Sequence, residues 1–174
     1  MTVSFTVQGP PQGKARPRVC RINGKSVTYM PRKTVKYERL IRARFVTELD
    51  KLHTEFSAGK DNEILRFFNE KNQTLQRPYF EKDIALEMKI LALFPMPKNV
   101  SKRVKKSMLD GDILPTKKPD CDNVIKVICD ALNGVAYEDD KQIYKIHFEK
   151  KYAQNPCVMV EIKDILEEKR CQER

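Results

Sequence analysis

The chain lacks any run of about 18 uncharged apolar residues, so no part of it is expected to span a membrane. Met1-Thr2-Val3-Ser4-Phe5 shows no basic stretch leading into an apolar core, so no secretory signal is expected. Histidine is scarce, at two residues, and the five cysteines (Cys20, Cys121, Cys129, Cys157 and Cys171) include no Cys-x-x-Cys. An odd count without metal-ligand spacing argues against a disulfide framework and against zinc. Free thiols in a reducing cytoplasm are the expectation. Six glycines and ten prolines exclude collagen-like and low-complexity chains.

What is present is one domain's length, 174 residues, with 40% hydrophobic residues to fill one core and 33% charged residues for the surface. The formal charge is +10, and it is clustered. Lys14 to Arg44 holds eleven Lys and Arg against the single acid Glu38, a net +10. Lys98 to Lys118 holds seven against Asp110 and Asp112, a net +5, so the remainder is −5. One basic run is commonly a solvated face. Two concentrated runs on an otherwise acidic chain form an electrostatic footprint for a polyanion, and nucleic acid is the expected partner.

The periodicities predict mixed elements. Val3, Phe5 and Val7 alternate with polar residues as in a half-buried strand, which Gly9-Pro10-Pro11 ends. Asn23-Gly24 between 19–22 and 26–29 is a hairpin signal. After Pro31, the residues Ile41, Phe45, Leu49, Leu52 and Phe56 form one helical stripe, while Lys33, Lys36, Arg39 and Arg42 step along another face. Gly59, Asp61 and Asn62 suggest a break, followed by a short helix at 64–68. Residues 83–94 read as a strand, Asn99 or Ser101 as the cap of a short basic helix through Leu109, and 143–150 and 158–162 as strands. Without regular βαβ spacing, this pattern predicts an α+β fold, a single two-layer domain with a mixed β-sheet packed against helices. The domain is assigned to 1–166, and the charged residues 167–174 to a tail.

The informative segment runs from Lys117 to Gly134 and on through Tyr137-Glu138-Asp139-Asp140-Lys141-Gln142. On a helical wheel with Asp122 at zero, Lys126 falls at about 40° and Asp130 at about 80°, opposite an apolar face of Val124, Ile125, Ile128, Ala131 and Leu132. Asp120 sits beside the positive end of that helix. Asp139 and Asp140 follow a short turn, and helix–strand packing would bring Asp140 toward Asp120 and Asp122. Clustered carboxylates repel unless a hard cation neutralises them, and Mg²⁺ takes one or two carboxylates with waters and phosphate oxygens. Such an ion could activate water, with Lys126 placed to stabilise developing charge. Blander roles are open: Asp122 as a helix cap, Asp122 or Asp130 paired with Lys126 for about 0.3–0.5 kcal/mol, and residues 138–140 as a solvated acidic turn. Neither His53 nor His147 has a companion nucleophile. Read from the residues alone, the segment belongs to a metal-dependent nuclease or a phosphate-binding module.

The segment Lys118-Pro119-Asp120-x-Asp122-Asn123-x-x-Lys126-x-x-x-Asp130-Ala131-Leu132-Asn133-Gly134, with Asp139-Asp140-Lys141-Gln142, resembles the RusA family of Holliday-junction resolvases. Gly9-Pro10-Pro11, Lys14-Ala15-Arg16-Pro17-Arg18, the stretch from Tyr29 to Tyr37, and Pro97-Lys98 leading to 113–117 are also similar, so three blocks cover about 130 residues. The resemblance implies a RusA-like fold and a homodimeric crossover junction endodeoxyribonuclease, cytoplasmic, acting in DNA recombination and repair on four-way junction DNA. It implies Mg²⁺, with Mn²⁺ able to substitute. Asp120, Asp122 and Asp140 take the role of catalytic, metal-binding carboxylates, and Lys126 that of catalytic lysine. Lys14, Arg16, Arg18, Arg32, Lys33, Lys117 and Lys118 would grip DNA phosphates. The family occurs in bacteria and in prophages. Residues from about 50 to 80 look like an insertion, and Cys121 stands where an aliphatic residue is usual. A non-catalytic branched-DNA-binding module and a metal nuclease acting on other DNA or RNA structures are the alternatives.

Overall fold

The computed structural model describes residues 1–56, 68–69, 74–75 and 78–165. A four-stranded sheet carries the fold, in the order β1 (Thr2–Gln8), β8 (Cys157–Asp164), β6 (Leu86–Pro95), β7 (Ile143–Ala153). Its β1–β8 and β8–β6 pairs are antiparallel, whereas β6 and β7 run parallel. Three helices accompany it: α1 (Arg32–Phe56), α2 (Lys102–Asp110) and α3 (Cys121–Leu132). Among the described residues there are also two small ribbons, β2 (Arg18–Ile22) with β3 (Lys25–Tyr29), and β4 (Phe68–Asn69) with β5 (Thr74–Leu75). This is the expected α+β domain with a mixed sheet.

Alternation sets the two faces of the sheet. Val3, Phe5 and Val7 of β1 stand beside Ile162, Val160 and Val158 of β8, which stand beside Met88, Ile90 and Ala92 of β6, all buried. Ile41, Phe45 and Leu49 of α1 cover this face, with Phe45 edge-on to Phe5 at a centroid distance of 5.7 Å. Val124, Val127, Ile128, Ala131 and Leu132 of α3 join the same core. Each of the Val, Leu, Ile, Phe and Met side chains among these contributes about 1.5–3 kcal/mol by leaving water. Lys33, Lys36, Arg39 and Arg42 remain exposed on the outer side of α1, and Arg42 Nε donates to Ala131 O at 2.6 Å, tying α1 to the last turn of α3. On the opposite sheet face, Glu87 is surrounded by Lys163 at 3.2 Å, His147 at 3.4 Å and Lys145 at 3.5 Å.

Several boundaries differ from the sequence reading. The strand expected from Asp83 begins at Leu86, because Asp83 takes φ 66°, a left-handed conformation no strand continues through. At the start of β7 the register shifts, with Ile143 opposite Leu86 and Lys145 opposite Glu87. Tyr144 is the extra residue there and is 76% exposed instead of sharing the inner face of Ile146. Ser101 is the cap of α2, its Oγ accepting from Val104 N–H, and Gly111 ends that helix at φ 90°. The break at 59–62, the tail at 167–174 and Cys171 lie outside the described residues, as do 64–67 of the expected short helix; Phe68 itself pairs with Leu75 in a strand. Most of the supposed insertion at 50–80 is likewise outside them, though its start continues α1.

The buried acids of this core give a pH dependence. Burial, followed by the charge of Asp140, pushes the Cys129 thiol from 9.0 to about 11. Burial pushes the Tyr37 phenol from 10.0 to about 12 and raises that of Tyr137 further. Unfolding lets these groups ionise at their ordinary values, so the unfolded chain loses protons first as pH rises. Stability should hold up to about pH 9 and fall above it, with Cys129 accounting for about 2–3 kcal/mol by pH 11. Urea midpoints measured from pH 8 to 11 should decline, and Cys129→Ala should flatten the early part of that decline. A wild-type midpoint unchanged to pH 11 would contradict the burial of these groups.

Candidate active site

Three pieces of chain meet at the start of α3. The first is the loop after β1. Lys14 N–H donates to Asn123 O at 2.8 Å, and a Cβ on Gly13 would come within 3.0 Å of both Pro119 Cβ and Asn123 Cβ. Only glycine fits so close an approach. The Lys14 ammonium bonds Glu38 of α1 and, at 2.8 Å, Asp130 of α3. Burial lowers the pKa of Lys14, but the hydrogen bonds and charges of Asp130 and Glu38 outweigh it and leave the pKa raised.

The second piece is the N-terminus of α3. The Lys118–Pro119 peptide is cis, and Asp120 follows as the N-cap residue with extended backbone at φ −70° and ψ 153°. Its backbone carbonyl accepts from Val124 N–H at 3.1 Å, but its side chain makes no capping bond. An N-cap aspartate normally uses its carboxylate for capping. Here that carboxylate is exposed and unspent. Asp122 is also exposed and accepts only from the Asn123 side chain, at 3.3 Å. Lys126 makes no ion pair with Asp122, Asp130 or any other described residue, and Asp130 pairs with Lys14 instead.

The third piece is the turn after α3. Tyr137 is fully buried and its hydroxyl donates to Cys129 O at 3.1 Å. Asp139 caps a single 3₁₀ turn over Asp140–Gln142, its Oδ1 accepting from Lys141 N–H at 3.0 Å. Gln142, buried, donates to Glu81 O at 2.9 Å and Ile84 O at 3.3 Å and accepts from Glu138 N–H at 3.0 Å. These bonds fix the turn from inside and leave Asp140 exposed at its head. Asp140 lies near enough to α3 for its charge to act on Cys129 and Tyr137.

The six acids of the segment therefore divide. Asp130 neutralises Lys14, Glu138 pairs with Lys82 at 3.7 Å and Asp139 caps a turn, whereas Asp120, Asp122 and Asp140 are exposed without a structural role among the described residues. Exposed carboxylates of this kind are hard oxygen donors suited to Mg²⁺ or Mn²⁺. Among the described residues, no three His, Cys, Asp or Glu side chains converge closely enough to hold a metal ion. The donor chemistry of these carboxylates suits a hard cation whose other ligands are water and phosphate oxygens. An open cavity of about 610 Å³, lined by Arg44, Lys89, His147 and Glu161 among others, includes none of these acids and not Lys126.

Of the expected phosphate-binding cations, Lys14 is engaged with Glu38 and Asp130, while Arg16, Arg18, Arg32, Lys33, Lys117 and Lys118 are exposed without an ion pair to any described residue. The sequence reading missed Lys150. It continues the Ile146 and Phe148 series onto the inner face of β7, where a lysine is out of pattern. Its ammonium lies 5.3 Å from the Phe94 ring centroid and donates to Pro119 O at 2.7 Å, one residue before Asp120.

The sequence model of the family described as Endodeoxyribonuclease RusA matches residues 61–163, which include all of α3 and the 3₁₀ turn. The Bacillus subtilis (strain 168) protein named "Uncharacterized protein YqaN" is 28% identical over 165 residues, covering 94% of this chain and 96% of that protein.

Removing the Lys150 ammonium leaves the Pro119 carbonyl without its donor. Lys150→Met is expected to cost about 1–3 kcal/mol, read as a lower urea midpoint, because a charged hydrogen bond is lost at a half-buried position. An unchanged midpoint would show that the bond does not hold the Pro119 turn.

Proposed function

Because the chain belongs to the RusA endodeoxyribonuclease family, we propose that it is a metal-dependent endonuclease that resolves four-way DNA junctions by paired symmetric nicks. The observation that carries this reading is the division of the acids: the three carboxylates without a structural role are those that the family motif nominates, Asp120, Asp122 and Asp140. Carboxylate oxygens from these residues would help bind Mg²⁺, or Mn²⁺ in its place, with waters and the scissile phosphate supplying the other ligands. The bound ion would supply charge neutralisation and a more acidic water. The remaining work falls to the protein. Asp120 is oriented by the Pro119 turn and Lys150, Asp140 by the Gln142-pinned turn, and Asp122 by the first turn of α3. Lys126, one helical turn past Asp122 and unpaired, would offset charge developing on the phosphate or leaving oxygen.

Arg16, Arg18, Arg32, Lys33, Lys117 and Lys118 would grip backbone phosphates beside this acidic centre. A four-way junction has approximate two-fold symmetry, and two opposed nicks need two active sites, which a C₂ homodimer provides. Among the described residues no helix is long and apolar enough to cross a membrane. With DNA as its substrate, the protein would act in the cytoplasm.

The absence of a converged trio of ligands supports a second reading, a branched-DNA-binding module that does not cut. Cleavage of a labelled four-way junction beside a matched linear duplex, with Mg²⁺ and with EDTA, separates the two. Paired nicks confined to the junction and to Mg²⁺ are expected. Asp122→Asn should lower the cleavage rate by roughly a hundredfold or more while junction affinity stays within a few-fold. Tight junction binding by the wild type with no cutting in Mg²⁺ or Mn²⁺ would establish the module instead.

A further inference from the structure

The β2–β3 ribbon has unusual exposure for folded chain. Every one of its ten residues is exposed except Cys20, which is half-buried. The two strands pair with each other and, among the described residues, make no extensive contact with another element. The register places Arg18 opposite Tyr29, Cys20 opposite Val27 and Ile22 opposite Lys25, so these six share one face. Asn23 and Gly24, at φ 50° and 75°, close the tip as the two-residue turn requires. The face is thus apolar along its middle and cationic at diagonal corners. Val19 at 67%, Ile22 at 54%, Tyr29 at 44% and Val27 at 40% exposed are large apolar groups left in water. An isolated two-stranded hairpin is marginal by itself, so such a surface calls for a partner.

Charge identifies the partner. From Lys14 to Tyr37 there is no acidic residue, while Arg16, Arg18, Arg21, Lys25, Arg32, Lys33 and Lys36 all lie in that span. A surface both apolar and exclusively cationic matches nucleic acid whose base faces are accessible. Intact duplex hides those faces by stacking, and an apolar side chain reaches them only by unstacking a step. A branch point already interrupts stacking. A two-stranded ribbon also has the width to enter a major groove.

We propose that the β2–β3 ribbon is the element that distinguishes branched from linear DNA. Its Ile22 and Val27 meet the unstacked bases at the branch, and Arg18 and Lys25 hold the flanking phosphates. The inference rests on the junction reading above and adds the source of its selectivity, which the carboxylates cannot supply because they address only phosphate. The ribbon is connected to those carboxylates through the loop that Lys14 and Gly13 dock on α3, so contact at the branch would set where the backbone meets Asp120 and Asp122.

The test is equilibrium binding of the full-length protein to a four-way junction and to a matched linear duplex, in EDTA so that nothing is cut. Three proteins are compared: wild type, Ile22→Ser/Val27→Ser, and Arg18→Ala/Lys25→Ala, each with a thermal midpoint near that of the wild type because the changed side chains are exposed. The wild type should prefer the junction. The serine variant should lose that preference by about tenfold or more, with duplex affinity within about twofold. The alanine variant should weaken on both DNAs alike and lower the salt slope by about two. A serine variant that keeps the full preference overturns the ribbon's role while leaving the junction reading intact. A serine variant that turns monomeric from a dimeric wild type overturns it in favour of contact with a second copy of the chain. A wild type without any junction preference removes the junction reading, and the ribbon's role with it.

Discussion

The docking of the 9–17 loop on the first turns of α3 is the constraint on which the arrangement depends. Gly13 lies so close to Pro119 and Asn123 that a side chain has no room, and the Lys14 backbone bonds the Asn123 carbonyl. The Lys14 ammonium then joins Glu38 of α1 to Asp130 of α3. One residue therefore fixes the basic N-terminal segment, the long helix and the acid-bearing helix relative to one another. A lysine so placed is part of the frame. Its charge is already balanced inside the protein, and that leaves the neighbouring unpaired cations to face outward.

On the far side of α3 the same task falls to Lys150 and Gln142. Lys150 reaches from the sheet to the Pro119 carbonyl, and Gln142 binds the backbone at Glu81 and Ile84 below the 3₁₀ turn. The exposed acids stand on backbone that is anchored from beneath. Rigid support with free side chains is what a site needs when its remaining ligands arrive with a substrate.

Much of this was legible in the chain itself. The alternation of Val3, Phe5 and Val7, the Asn23-Gly24 turn, Ser101 and Gly111 at the ends of α2, and the apolar face of α3 are local signals governed by backbone and period, and the structure contains each element. What depended on distant partners was not readable. The strand order β1-β8-β6-β7 with its parallel β6–β7 pair, the left-handed Asp83 that delays β6, and the extra Tyr144 all follow from how remote segments fit together. At the site, the motif nominated Asp120, Asp122 and Asp140, and the geometry adds what the neighbouring acids do instead, Asp130 pairing with Lys14 and Asp139 capping a turn. Lys150 left one signal, a charge in an otherwise apolar alternation, and its meaning required the Pro119 carbonyl to be seen beside it.

Three unpaired carboxylates amid cations pose an electrostatic problem with an instructive solution. Exposed to water, each keeps its hydration, so the free protein holds them at little cost. The cost arises when a phosphate approaches, because carboxylate and phosphate repel and the approach displaces the water that screened them. Cations elsewhere on the surface can draw DNA in, but they do not remove that local repulsion. A divalent ion shared between phosphate and carboxylates does, and it is bound most strongly when both are present. On the proposed reading, gripping the DNA and cutting it are separate electrostatic events, the first carried by the exposed Arg and Lys side chains and the second completed only when the substrate supplies further oxygen ligands.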